Sequence, residues 1–144
     1  MNTNQSNKVM FPKIKSVGKR NWGKEELLIL IPKKISLKKI LIKKGKKSGL
    51  QYHHKKNECG ILIYGKLKIT YDDGNGKLKS KILNKNSSFH FPPKTVHQEE
   101  ALTDCLIIEA STPHFNDRVR VEKKYGLKLS KGLPSTKMKD IKLL

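Results

Sequence analysis

A chain of 144 residues can bury one substantial core but not two, so a single domain is expected. Hydrophobic residues at 35% and charged residues at 31% place it on the polar side of globular composition and outside the disordered class. The formal charge of +20 comes from 29 Lys and only 3 Arg, and the lysines run from Lys8 to Lys142. That distribution argues for a solvated surface, and against a nucleic-acid reader built on bidentate arginines.

Residues 1–15 are polar and aperiodic and read as a flexible N-terminal segment, followed by a folded domain over 16–127 and a basic tail over 128–144, broken by Gly132 and Pro134. The start has no signal-peptide core, and no apolar run approaches the ~18 residues of a membrane span. A cytoplasmic protein without a membrane partner is the expectation. Cys59 and Cys105 are too few for a disulfide framework, and both sit in apolar runs, so they read as buried reduced thiols.

In chain order, short apolar runs fall at 26–31, 38–45, 60–71, 77–83, 88–93 and 104–110. They are rich in Ile, Leu and aromatics, too short for helices, and separated by Gly, Pro, Asn and Asp. The stretch from Asp72 to Gly76 is a strong hairpin turn, because Asp, Asn and Gly tolerate positive φ. Pro92 and Pro93 end the fifth run. Helix is expected only from about Asn116 onward. Many short strands with regular turns predict an all-β sandwich or small barrel.

Strand alternation puts Gln51 and His53 on one face and Tyr52 and His54 on the other. A turn at Lys55, Lys56 and Asn57 then lets Glu58 return to the same pocket. Imidazole and carboxylate are ordinary ligands of Zn, Mn, Fe, Co or Ni, and an amide oxygen is a weaker one. Spacing alone is a weak signal and favours a hydrogen-bonded structural role over a metal site.

Glu58, six intervening residues and Gly65, with His53 five before the Glu, fit the first cupin motif. Pro92, with His97 five residues later, fits the second. Three further pieces agree in order: Arg20 to Glu26, the run ending in Gln51, Tyr52, His53 and His54, and Asp117 to Gly126. Together they make residues 20–127 similar to the cupin domain of type II mannose-6-phosphate isomerases, the domain also found behind a mannose-1-phosphate guanylyltransferase. Gln51 stands where the motif has its first His, Asn86 and Lys94 where it has Gly, Lys55 for a further His and Leu127 for a final Arg.

The resemblance implies an all-β, jelly-roll-like cupin barrel with a short helical C-terminal segment. It implies one divalent metal held by Gln51, His53, Glu58 and His97. The implied chemistry is aldose–ketose interconversion of a phosphorylated sugar, with the metal as Lewis acid and a base shuttling a proton. Glu58 or His90 is the expected base, and Arg120 the clamp on oxyanion or phosphate, its bland alternative being an ion pair with Glu122. Lys47 and Lys94 are weaker phosphate candidates. Barrels of this kind pair through sheet edges, so a homodimer is expected by analogy. The competing readings are a non-isomerase cupin, either a metal-dependent dioxygenase or a sugar-binding module, and polyanion binding driven by charge.

Overall fold

The computed structural model describes residues 8–129. Residues 1–7 of the expected flexible segment and 130–144 of the expected basic tail lie outside the described residues. Eleven strands precede one short helical turn: β1 (Lys15–Arg20), β2 (Gly23–Ile31), β3 (Ile35–Ile42), β4 (Gln51–His53), β5 (Glu58–Tyr64), β6 (Leu67–Asp72), β7 (Leu78–Leu83), β8 (Ser88–Phe91), β9 (His97–Ala101), β10 (Cys105–Ser111) and β11 (Arg118–Arg120), then a 3-10 turn at Glu122–Tyr125. They form two antiparallel sheets, one in the order β1-β2-β3-β10-β5-β8 and the other β11-β4-β9-β6-β7. The expected all-β, jelly-roll-like architecture is what the chain adopts. No helix among the described residues is long and apolar enough to cross a membrane.

Strand alternation decides what each sheet buries. On β3 the buried positions are Ser36, Lys38, Ile40 and Ile42, and on β10 they are Cys105, Ile107, Glu109 and Ser111. The register sets Ile42 opposite Cys105, Ile40 opposite Ile107, Lys38 opposite Glu109 and Ser36 opposite Ser111. The inner face is therefore apolar at one end of the sandwich and polar at the other. The second sheet repeats the gradient: Ala101 pairs with Leu67, while His97, four residues away on β9, pairs with Tyr71 and Gln51. Ile40, Ile42, Leu62, Leu67, Ile69, Leu83, Ala101 and Ile107 fill the apolar end. Burying that surface is the main drive to fold.

The run 60–71 is two strands in different sheets, β5 and β6, divided at Gly65 with φ +97. A Cβ there would sit 2.2 Å from the Asp104 carbonyl oxygen. Among the described residues the helix expected from Asn116 onward is a single 3-10 turn, since Arg118–Arg120 pairs with β4 as a strand. Cys59 is exposed while Cys105 is buried, because Cys59 lies on the outward parity of β5, where Glu58 and Leu62 do not.

The C-terminal end is fastened by two acid contacts. The buried Glu122 carboxylate accepts from the Leu50 backbone N–H at 3.2 Å and from Arg120 Nε at 2.9 Å. Burial alone would raise the Glu122 carboxyl, but the Arg120 guanidinium and the Leu50 N–H outweigh it and hold the group below its ordinary value. The Tyr125 hydroxyl donates to Asp72, whose other oxygen accepts from Gly74 N–H and Gly76 N–H inside the β6–β7 turn. Burial and the Asp72 carboxylate push the Tyr125 hydroxyl up to about 12.

Two outcomes follow for stability. Gly65→Ala meets both positive φ and backbone, and should destabilise by about 3 kcal/mol or more, whereas Gly74→Ala, at φ +97 with open space around it, should cost about 1 kcal/mol; denaturant midpoints separate them. Glu122→Gln should destabilise by about 1–3 kcal/mol at neutral pH. Because the folded carboxyl is depressed, its contribution is present above the unfolded range near ~4.3 and is lost as pH falls through the folded value. The difference between wild type and Glu122→Gln should shrink steadily in acid, which thermal melts from pH 7 to pH 3 would check.

Candidate metal centre

The polar end of the sandwich is organised by the three-residue strand β4. Gln51 pairs with Arg120 of β11 on one side and with His97 of β9 on the other. Leu50, fully buried just before it, anchors the strand, and its carbonyl accepts from Val121 N–H at 2.9 Å. Gly49 next to it leaves room for the Arg120 side chain, since a Cβ there would lie 2.2 Å from Arg120 Nε and displace it.

The turn between β8 and β9 docks on the same strand through its backbone. Lys94, at φ +63, donates its N–H to the His53 carbonyl at 2.7 Å. His97 Nδ1 lies 3.0 Å from the Thr95 carbonyl. A carbonyl only accepts, so Nδ1 carries hydrogen and a neutral ring has its lone pair on Nε2. The ring is further fixed by stacking on Phe91, centroids 3.9 Å apart and planes 11° from parallel.

His97 Nε2 is 2.9 Å from Glu58 Oε1, and His53 Nε2 is 3.5 Å from the same oxygen. One ligand atom each from His53, Glu58 and His97 can be chosen so that all lie within 4.8 Å of one another. Acceptors held this close repel unless a cation or a proton lies between them. Gln51 Oε1 and His53 Nδ1 are buried without a hydrogen-bond partner among the described residues. Unsatisfied buried polar atoms are uncommon and call for a reason. An orphaned amide oxygen beside two imidazoles and a carboxylate fits a divalent ion, with the chemistry of an oxygen and nitrogen donor set.

Glu58 is held in place from behind. Its Oε2 is 2.7 Å from Lys56 Nζ, which also reaches Glu109 Oε1 at 3.3 Å. Burial would raise the Glu58 carboxyl, yet the Lys56 ammonium, with the two imidazoles close by, holds it well below the ordinary range. Burial would likewise lower Lys56, but Glu109 and Glu58 together push it upward, so the ammonium keeps its proton. Across the cavity, Glu25 and Lys38 pair at 2.7 Å, and Lys38 Nζ lies 5.0 Å from the Phe115 ring centre. Burial, and then the neighbouring Glu109 and Glu58, raise Glu99 well above its ordinary value. Burial and Glu58 also raise Glu109, against the pull of Lys56 and Lys38.

These groups line a cavity of about 120 Å³, well beyond the ~10–15 Å³ that one water requires. Gln51, His53, Glu58 and His97 all face it. His90 does not join them: it is exposed, its Nε2 is 2.8 Å from Asn57 Oδ1, and strand alternation turns it away from the buried Phe91. Lys47 and Lys94 are exposed and outside the lining, Lys47 forming an isolated bridge with Glu100. Arg120 is also outside it, bound to Glu122. The arginine that does line the cavity is Arg118, opposite His53 on β11. Sequence reasoning gives Arg118 no role and places Lys56 only in a turn. The signal for Lys38, Glu99 and Glu109 was available: each is a charge at the inward parity of a strand.

Three comparisons with known proteins bear on this site. The family described as Mannose-6-phosphate isomerase C-terminal matches residues 7–121. Mannose-1-phosphate guanylyltransferase 2 of Escherichia coli O157:H7 is 27% identical over 111 residues, 74% of this chain and 22% of that protein, so the chain spans about a fifth of this relative's length. Among solved structures, the capsular polysaccharide assembling protein CapF from Staphylococcus aureus matches with a TM-score of 0.67 at 20% identity, over 76% of this chain and 32% of that one. KdgF from Halomonas sp. matches with a TM-score of 0.59 at 17% identity, over 69% and 88%. Oxalate decarboxylase from Bacillus subtilis, a protein with Mn(II) centres, matches with a TM-score of 0.61 at 16% identity, over 73% and 29%. The structural likenesses are of fold. With residues 7–121 covered by one family model and a cupin sandwich built around them, the chain belongs to the mannose-6-phosphate isomerase C-terminal family of cupin domains.

Proposed function

We propose that this cupin domain holds one divalent ion through Gln51, His53, Glu58 and His97, and acts as a metal-dependent sugar-phosphate isomerase of the mannose-6-phosphate type. The observation that carries the reading is the convergence of His53, Glu58 and His97 beside the unpartnered Gln51 oxygen at the wall of a cavity. The family's description, and a relative named for mannose 1-phosphate, support a phosphorylated sugar as the ligand.

A divalent ion, when bound, supplies Lewis-acid polarisation of substrate oxygens. The protein's own groups do the rest. Lys56 holds Glu58 Oε2, which leaves Oε1 turned toward the two imidazoles. Thr95 and Phe91 fix the His97 ring, so the donor geometry is set before any ligand arrives. Of the two proton carriers expected from sequence, only Glu58 faces the cavity. Arg118 and Lys38 bring cationic groups to the same space, where a phosphate would meet charge-assisted donors.

Metal analysis of the purified protein should give about one divalent ion per chain. Gln51→Ala, His53→Ala and His97→Ala should each lose about 10-fold or more in metal affinity, by analogy with ligand-shell losses. Full metal content in all three would sink this ligand set. Conversion of mannose 6-phosphate to fructose 6-phosphate should require added Mn or Zn and stop with a chelator. Oxygen uptake in its place would move the reading to a dioxygenase, and ligand binding without turnover to a sugar-binding module.

A further inference from the structure

The cavity holds four carboxyls, from Glu25, Glu58, Glu99 and Glu109. Three are engaged: Glu25 with Lys38 at 2.7 Å, Glu58 with Lys56 at 2.7 Å and His97 at 2.9 Å, and Glu109 with Lys56 at 3.3 Å. The Glu99 carboxyl has no hydrogen-bond or ion-pair partner among the described residues. Its backbone is well held, the N–H donating to Ser48 Oγ at 3.0 Å and the carbonyl accepting from Ser48 N–H at 2.9 Å. A half-buried carboxyl on a rigid strand, lining the cavity and without a protein partner among the described residues, is open to a ligand.

Position narrows the kind of ligand. Glu99 lies two residues beyond His97 on β9 and shares its inward face. Two residues of strand span about 7 Å, roughly the full length of a hexose. A sugar seated against the His53, Glu58 and His97 wall would present its more distant hydroxyls there. The two lysines that line the cavity are already committed, Lys56 to two carboxylates and Lys38 to one.

We propose that Glu99 is the specificity-determining residue that hydrogen-bonds a sugar hydroxyl in this cavity. The role holds in either protonation state, because a carboxylate accepts from a hydroxyl and a carboxylic acid both accepts and donates. It rests on the sugar reading of the cavity, but not on turnover.

The test is calorimetric binding of mannose 6-phosphate to the Mn-loaded full chain, as wild type, Glu99→Gln and Glu99→Ala, with metal content, thermal midpoint and kcat measured on each. Glu99→Ala should weaken binding about 10- to 100-fold, with metal content unchanged and the midpoint no lower than wild type. Glu99→Gln keeps a hydrogen-bonding amide and should stay within about fivefold in both binding and kcat. Wild-type affinity in Glu99→Ala overturns the proposal. So does a loss of Mn from Glu99→Ala, which would make Glu99 part of the ion's shell, and so does a Glu99→Gln variant that binds normally while losing kcat by a hundredfold or more, which would make it a proton carrier. Wild type that binds without turning over removes the isomerase reading and leaves Glu99's role standing. Wild type that fails to bind overturns both.

Discussion

The Lys56 ammonium, buried between the Glu58 and Glu109 carboxylates, is the interaction on which the site depends. Taking one charge out of water inside a β-sandwich is prohibitive, and taking out an arranged trio is tolerable only when distances are short and the remaining valences are met. Remove the ammonium and two carboxylates face each other in the interior. Keep it, and Glu58 is anionic, oriented, and has one oxygen left over. The polar half of the sandwich is thus a charge network that the apolar half holds rigid.

That division also explains what sequence could reveal. Period-two alternation and turn residues were enough for an all-β fold, for Gln51 and His53 on one face, and for Glu58 close by. His97 came only with the cupin likeness, since nothing local says that a residue beyond Pro92 folds back to pair with Gln51. Asn86 and Lys94 occupy left-handed positions, φ +69 and +63, as glycine substitutes, so the motif's backbone survives where its residues changed.

His90 and Arg120 carry site chemistry, but which way each faces is set by the tertiary fold, and for Arg120 the ion-pair alternative is the one realised. His90 lies on the outward parity of β8, and Arg120 is engaged by the buried Glu122. In a Lys-rich chain every lysine looks like surface, and only tertiary structure sets Lys56 between two carboxylates. Glu99 and Glu109 were legible in principle, by continuing the inward register of His97 and Ile107. Reading charged residues on inward positions as signals, rather than as noise, would have found them.

The turn joining β8 to β9 touches the site through main-chain atoms: the Lys94 N–H on the His53 carbonyl, and the Thr95 carbonyl on His97 Nδ1. Neither contact uses a side chain of the turn itself. Residue identity in that turn can therefore drift across descendants of this chain while the two imidazoles keep their aim, provided the left-handed kink is kept. Evolution has room to reshape the rim of the cavity there without disturbing its floor.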